Sequence, residues 1–239
     1  MPNYLDEAHR AEIVKLSTTV TSKTEWPTWV LLVGFYLAWA FIVFCGEVLG
    51  DVFAIALLVP LVVLWMSIQH ELIHGHPTRW PAINKALGFL PFAVWYPYDI
   101  YRDTHLAHHN DEVLTVPGQD PESRYVTGAF WLCSPRYSAI SAIQYVFLVS
   151  LPALSIAMIR SFYEHRPSTL PEHRTVINES SGLLSWLFLN LNLHLVHHDL
   201  PGVPWFYLPR VFRARRERWI ALAILPSNKN MKANLGVGK

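Results

Sequence analysis

Charge is what this sequence has least of. Asp, Glu, Lys and Arg make up 15% of its 239 residues, against roughly 25% in soluble domains. So apolar a chain is not disordered, and it lacks the solvating surface of an ordinary soluble enzyme. Net charge is nearly absent too: nineteen basic and eighteen acidic side chains leave +1, so no overall field steers it onto nucleic acid. Two cysteines, Cys45 and Cys133, are too few and too far apart for a disulfide framework or a CxxC motif. Residues 1–26 are polar and mixed in charge, without the basic and apolar blocks of a signal peptide. There is also no GxGxxG, P-loop, HPGG-like haem segment or rubredoxin-type cysteine pair. A chain of 27.4 kDa without them shows no nucleotide-binding, haem-binding or rubredoxin-type motif of its own.

Apolar residues fill the space, at 52% with ten Trp, ten Tyr and twelve Phe. The run WVLLVGFYLAWAFIVFCG (29–46) carries no charge, and at about 1.5 Å per residue it nearly covers a bilayer core of about 30 Å. After a polar break at Glu47, Gly50 and Asp51, residues 52–69 run uncharged again, with Pro60 tolerable as a kink. A third apolar stretch covers 140–159, and 182–193 is apolar but short. The segment 86–95 is too short to span and reads as interfacial. The fold class is therefore an all-α integral membrane protein, a bundle of about four transmembrane or re-entrant helices with a cytosolic histidine-rich cap. Its divisions are an N-terminal cytosolic or interfacial segment (1–26), a membrane domain (27–219) and a C-terminal tail (220–239). Arg10, Lys15, Lys23, Arg79, Lys85 and Arg102 flank one side, which the positive-inside rule makes cytoplasmic.

Histidine is over-represented, with twelve residues. Eight fall in three boxes: His70 and His74 in HELIH; His105, His108 and His109 in HLAHH; His194, His197 and His198 in HLVHH. On a helix, positions three and four apart share a face about 5–6 Å apart, so each box aims its imidazoles at one place. Random placement of twelve histidines would give about 0.03 copies of HxxHH. Scattered polar or core histidines are thus a poor account of the set. Eight imidazoles suffice for two metal ions, and among metals that accept imidazole and activate O2, iron fits best. HELIH is also HExxH, in which His70 and His74 would bind zinc and Glu71 act as the base of a membrane metalloprotease. That reading leaves two HxxHH boxes unexplained, and bis-histidine haem does not suit boxes at membrane edges.

The three boxes over residues 29–215 resemble the membrane fatty acid desaturase family, and the chain is similar to a short, bacterial-type member. HxxxH at His70 resembles acyl-lipid desaturases, hydroxylases and ketolases more than acyl-CoA desaturases. HxxHH at His105 and the long gap from His74 are desaturase-like, and the stretch NLNLHLVHHDLPGVPWFYLP also resembles the family. The resemblance implies two non-haem iron ions with O2 as co-substrate, and a ninth ligand between the second and third boxes, here His165 in RSFYEHR. Acyl-CoA desaturases place an Asn four residues before that ligand, where this chain has Ser161. It further implies an O2-dependent oxidoreductase that desaturates a fatty acyl lipid with an external donor such as a ferredoxin, a rubredoxin or a cytochrome b5-like protein. Hydroxylation or ketolation of a lipid or hydrocarbon at the same site is the alternative.

His165 poses a topological problem. If 140–159 crosses the membrane once and 182–193 crosses back, His165 is stranded opposite the boxes; if 126–160 forms a hairpin or dips back, it stays with them. Ligand imidazoles usually donate their second N–H to a carboxylate. Glu71, Asp103, Asp111, Glu112, Asp120, Glu164 and Asp199 are near enough, with Asp111 and Asp199, beside HxxHH boxes, favoured. His76 and His173 read as surface residues. The aromatic run at 92–101 would form an interfacial belt or line a tunnel. Arg210, Arg213, Arg215, Arg216 and Arg218 suit an acidic donor or anionic headgroups.

Overall fold

The computed structural model describes residues 7–16, 18–94, 97–110, 119–121, 140–166, 168, 174–180 and 182–223. All regular structure among them is helical. The helices are α1 (Glu7–Leu16), α2 (Val20–Thr24), α3 (Trp26–Leu49), α4 (Asp51–Ile73), α5 (Pro81–Gly88) and α6 (Tyr98–Asn110). They continue as α7 (Ala142–Glu164), α8 (Leu183–Leu187), α9 (His194–Asp199), α10 (Leu208–Ala214) and α11 (Arg216–Ala223).

Three of these are long and apolar enough to cross a membrane: Trp26–Gly46, Asp51–Ile73 and Ala142–Glu164. Pro27 in the first turn starts α3 where its missing N–H costs nothing. Gly50, at φ +78°, makes the break that reverses the chain into α4. Pro60 stays inside α4 without ending it. In α7 the stretch Tyr145–Ser150 widens to π-helical register, just before Pro152, which has no N–H to offer the preceding turn. The fourth apolar segment does not span: residues 182–193 fold as the single turn of α8 and a 3-10 turn at Leu191–Leu193. Left-handed Leu189 and Asn190 separate the two turns.

The long helices share one core. Phe35, Val62, Trp65, Ile68 and Leu72 are buried there with Phe92 and Ala93. Phe92 packs inside this core against Phe35, Tyr36, Trp39 and Trp65, with ring centroids 4.6–5.6 Å apart. Tyr36 donates to the Leu87 carbonyl at 2.5 Å. Tyr145 donates to the Phe92 carbonyl at 2.9 Å and accepts from Trp39 Nε1 at 3.2 Å. Within the segment 86–95, Gly88, Phe92 and Ala93 are buried against the long helices while Phe89 and Leu90 stay exposed.

A second cluster gathers around the third box: Leu195, Val196, Leu208, Val211 and Trp219 pack with Ile13 of α1. Arg10 of α1 bonds both the backbone carbonyl and the carboxylate of Asp199, and Thr19 meets Tyr207. The N-terminal helix is thus part of the layer that carries box three. Ile220, Leu222 and Ala223 pack on the same cluster. Among the tail arginines, Arg215 pairs with Glu12, Arg216 with both oxygens of Glu179 at 2.7 Å, and Arg210 lies over the Tyr207 ring.

Candidate metal centre

Four helix ends deliver the histidines. His70 lies in the last turn of α4 and His74 caps it; α6 carries His105, His108 and His109; His165 caps α7; and α9 carries His194, His197 and His198. Because α4 and α7 both end here while Tyr145 meets α3 beyond its midpoint, α7 runs toward the boxes and brings His165 to them. His165 thus lies with the boxes, as the second of the two topologies requires. The segment that would descend before α7, 122–139, lies outside the described residues.

The nine histidines divide into two sets. His70, His74, His105, His109 and His197 form one, and His108, His165, His194 and His198 the other; in each, one ligand atom per residue lies within 4.8 Å of all the rest. Boxes two and three each serve both sets. On α6 the i, i+4 pair His105 and His109 faces the first while His108 faces the second; on α9 the i, i+4 pair His194 and His198 faces the second while His197 faces the first. Residues four apart on a helix point almost the same way, and a neighbour one position off is turned by about 100°. HxxHH is therefore the spacing that lets one helix straddle two centres. The rings of His109 and His198 stack between them, with centroids 4.1 Å apart.

The ring nitrogens test whether an ion fits. His74, His105, His109 and His197 approach in a chain of Nε2 contacts at 3.0, 3.1 and 3.3 Å. His108, His165, His194 and His198 do the same at 3.2, 3.0 and 3.0 Å. Hydrogen bonds do not account for such chains, because each interior Nε2 has two neighbours but only one proton or one lone pair. Four or more imidazoles around one cation, at about 2.0–2.1 Å each, place adjacent nitrogens about 2.9–3.4 Å apart. The observed separations fall in that interval. His70 is 1% exposed with neither ring nitrogen hydrogen-bonded, a costly state for a buried polar group unless a ligand meets it. His74, His194, His197 and His198 are held well below the ordinary histidine range, first by burial and then by their neighbouring imidazoles. They are therefore in the neutral, ligating form. The two sets fit two metal ions.

One carboxylate hydrogen-bonds a ring, and two more lie nearby without doing so. Asp120 Oδ1 lies 2.9 Å from His108 Nδ1; a carboxylate only accepts, so that nitrogen carries the proton and Nε2 keeps the lone pair. Glu164 Oε1 lies 3.9 Å from His194 Nδ1, and Glu71 Oε1 3.7 Å from His70 Nδ1. Of the two carboxylates favoured from sequence, Asp111 lies outside the described residues, and Asp199 is taken by Arg10. Asp120, twelve residues past His108, was in the wider set of candidates but too distant in sequence to be favoured.

His76 corrects a second expectation. It is 5% exposed, not a surface residue, and its Nδ1 meets Glu25 Oε1 at 2.7 Å. Burial alone would lower its pKa, but the Glu25 and Glu71 carboxylates outweigh that and raise it. This pair ties the start of α3 to the loop after box one. His173 lies outside the described residues. Glu71, the would-be base of HExxH, spends Oε2 on the Trp205 backbone N–H at 3.1 Å, and His70 and His74 share their centre with three more imidazoles.

Comparison with known proteins agrees with this geometry. The family described as fatty acid desaturase matches residues 49–137 and 124–224. A beta-carotene ketolase of Haematococcus lacustris is 26% identical over 184 residues, which is 60% of this chain and 56% of the ketolase. The chain thus spans little more than half the length of that relative. No solved structure matches.

Proposed function

The chain belongs to the fatty acid desaturase family, and on that premise we propose that it is an O2-dependent di-iron oxidoreductase of the membrane that acts on a fatty acyl chain by desaturating it. The observation that carries this reading is the division of nine histidines into a set of five and a set of four. Five nitrogens around one ion exceed the four of a tetrahedral zinc site, which favours iron over a zinc hydrolase. Two irons held by His70, His74, His105, His109 and His197 and by His108, His165, His194 and His198 supply, with O2 and two electrons from an external donor, oxidation of an unactivated C–H bond that no side chain performs.

The protein's own contribution is placement and exclusion. Helices α6 and α9 each reach both centres, so the separation of the ions is set by two rigid helices rather than by loops. Asp120 fixes the His108 tautomer, and burial of the imidazoles keeps bulk water and stray protons from the reacting atoms. Desaturation removes a second hydrogen from the adjacent carbon, while hydroxylation or ketolation leaves oxygen on the first; the choice rests on how the chain lies against the ions. The ketolase relative supports the oxygenating alternative. The cytoplasm is the side proposed for the site, since Arg10, Lys15, Lys23 and Arg79 belong to segments on the histidine side of the long helices.

The test is expression with a ferredoxin, its reductase and iron, followed by mass spectrometry of host lipids and, in a carotenoid-producing host, of the pigments. Acyl products lighter by about 2 mass units mean desaturation, and products heavier by about 16 or 14 mean an alcohol or a ketone. A purified chain with one zinc and no iron would sink the proposal.

A further inference from the structure

Helix α7 has two charged residues, Arg160 and Glu164, one turn apart at its site end. An arginine in a membrane helix ordinarily snorkels its guanidinium to water. Arg160 does not: its side chain is 15% exposed, with Nε 3.1 Å from Glu164 Oε1. Its Nη1 donates to Ser67 Oγ at 3.3 Å, and its guanidinium lies 5.5 Å from the Phe188 ring centre. Each of these partners is close in sequence to a histidine of the centre: Ser67 precedes His70 by less than a turn, Glu164 adjoins His165, and Phe188 leads into His194. Glu164 Oε1, the oxygen facing Arg160, is also the one 3.9 Å from His194 Nδ1. The backbone ties the same parts together, since Val176 N–H donates to the Glu164 carbonyl and Leu195 N–H to that of Val176.

On the reading that the four-histidine set holds a metal, we infer that Arg160 is a positioning residue for it, acting through Glu164 to orient His194. A buried ion pair adds little to stability over well-packed apolar residues of the same volume, but it fixes orientation. Here the guanidinium holds the carboxylate 3.9 Å from His194 Nδ1, where its charge, rather than a hydrogen bond, bears on the ring. That leaves Nε2 directed at its neighbours His165 and His198, each 3.0 Å away. Toward the five-histidine set Arg160 donates to Ser67 and its charge also bears on His70; the route through Glu164 leads to His194, so the larger effect falls on the ion of the four-histidine set.

The experiment uses the full chain in detergent micelles, loaded with ferrous iron and titrated with a chelator, and compares wild type with Arg160→Met, Arg160→Lys, Glu164→Gln and the double variant Arg160→Met/Glu164→Gln. Iron per chain and the Mössbauer signature of each iron are read, together with the melting temperature of the metal-free protein. Wild type holds two irons. Arg160→Met and Glu164→Gln each weaken one of them about 10–100-fold, and Arg160→Lys weakens it less. The double variant, which leaves no lone buried charge, melts nearer to wild type than Arg160→Met does. Its iron affinity is no lower than that of Glu164→Gln, as expected if Arg160 acts through that carboxylate. A double variant that retains both irons as tightly as wild type overturns the inference and leaves the proposed function standing. A wild type that binds fewer than two irons overturns both.

Discussion

Replacing Asp120 by asparagine tests the metal centre where it depends on a residue that contributes no ligand. Asp120 Oδ1 is 2.9 Å from His108 Nδ1. Across the ring and along an ion–nitrogen bond of about 2.1 Å, the carboxylate sits about 7 Å from a metal on His108 Nε2. With an effective dielectric near 20, a full negative charge there interacts with a divalent ion by about 5 kcal/mol. That is an upper bound, because water and neighbouring dipoles respond when the charge is removed. Asp120→Asn keeps the shape and an oxygen for the Nδ1–H, so only the charge is lost. The expected cost is tenfold to hundredfold in affinity for the second iron, about 1.4–2.7 kcal/mol. Asp120→Ala removes orientation as well and should cost more. The assay is iron retention by the purified full chain against graded chelator, with Mössbauer spectra to identify which iron leaves. If Asp120→Asn and Asp120→Ala both bind two irons as tightly as wild type, the carboxylate does not support the centre and the reasoning fails. If Asp120→Asn matches wild type and only Asp120→Ala is weakened, the contribution is orientation, not charge.

His197→Ala and His108→Ala should deplete different irons, since His197 belongs to the set of five and His108 to the set of four; identical Mössbauer losses would contradict that division. Glu71→Gln should leave product formation within a few-fold of wild type, because its amide oxygen still accepts the Trp205 N–H; complete loss would restore the hydrolytic base. Gly88→Ala places a Cβ 2.6 Å from the Tyr98 ring and 3.0 Å from Leu72 Cδ1. Overpacking of that kind costs about 1–3 kcal/mol, read as a lowered melting temperature, and a variant as stable as wild type would show that α5 and α6 do not pack this closely. The metal-free protein should lose stability as pH falls below about 6.5. The native pKa values of His74, His194, His197 and His198 are lowered from 6.5, so in that window the unfolded chain binds more protons. Melting temperatures that rise on acidification would refute the buried neutral cluster.

The sequence alone carried the apolar spans and the histidine boxes, because those signals are local. Eighteen uncharged residues in a row specify a membrane helix whatever surrounds them, and HxxHH fixes the relative direction of three imidazoles through helix pitch. His70, His74, His105, His108, His109, His194, His197 and His198 were legible for that reason, and His165 from resemblance. Tertiary structure decided how those directions combine. Which histidine serves which centre depends on the crossing of α6 and α9, and the placement of His165 depends on the direction of α7. Neither is encoded by spacing. Burial decided the supporting residues. Asp120 meets His108, Asp199 pairs with Arg10, His76 turns inward to Glu25, and Arg160 stays beside Glu164. A charge in an apolar setting must find its partner in three dimensions, and the partners it finds are distant in the chain or hidden among many nearby carboxylates.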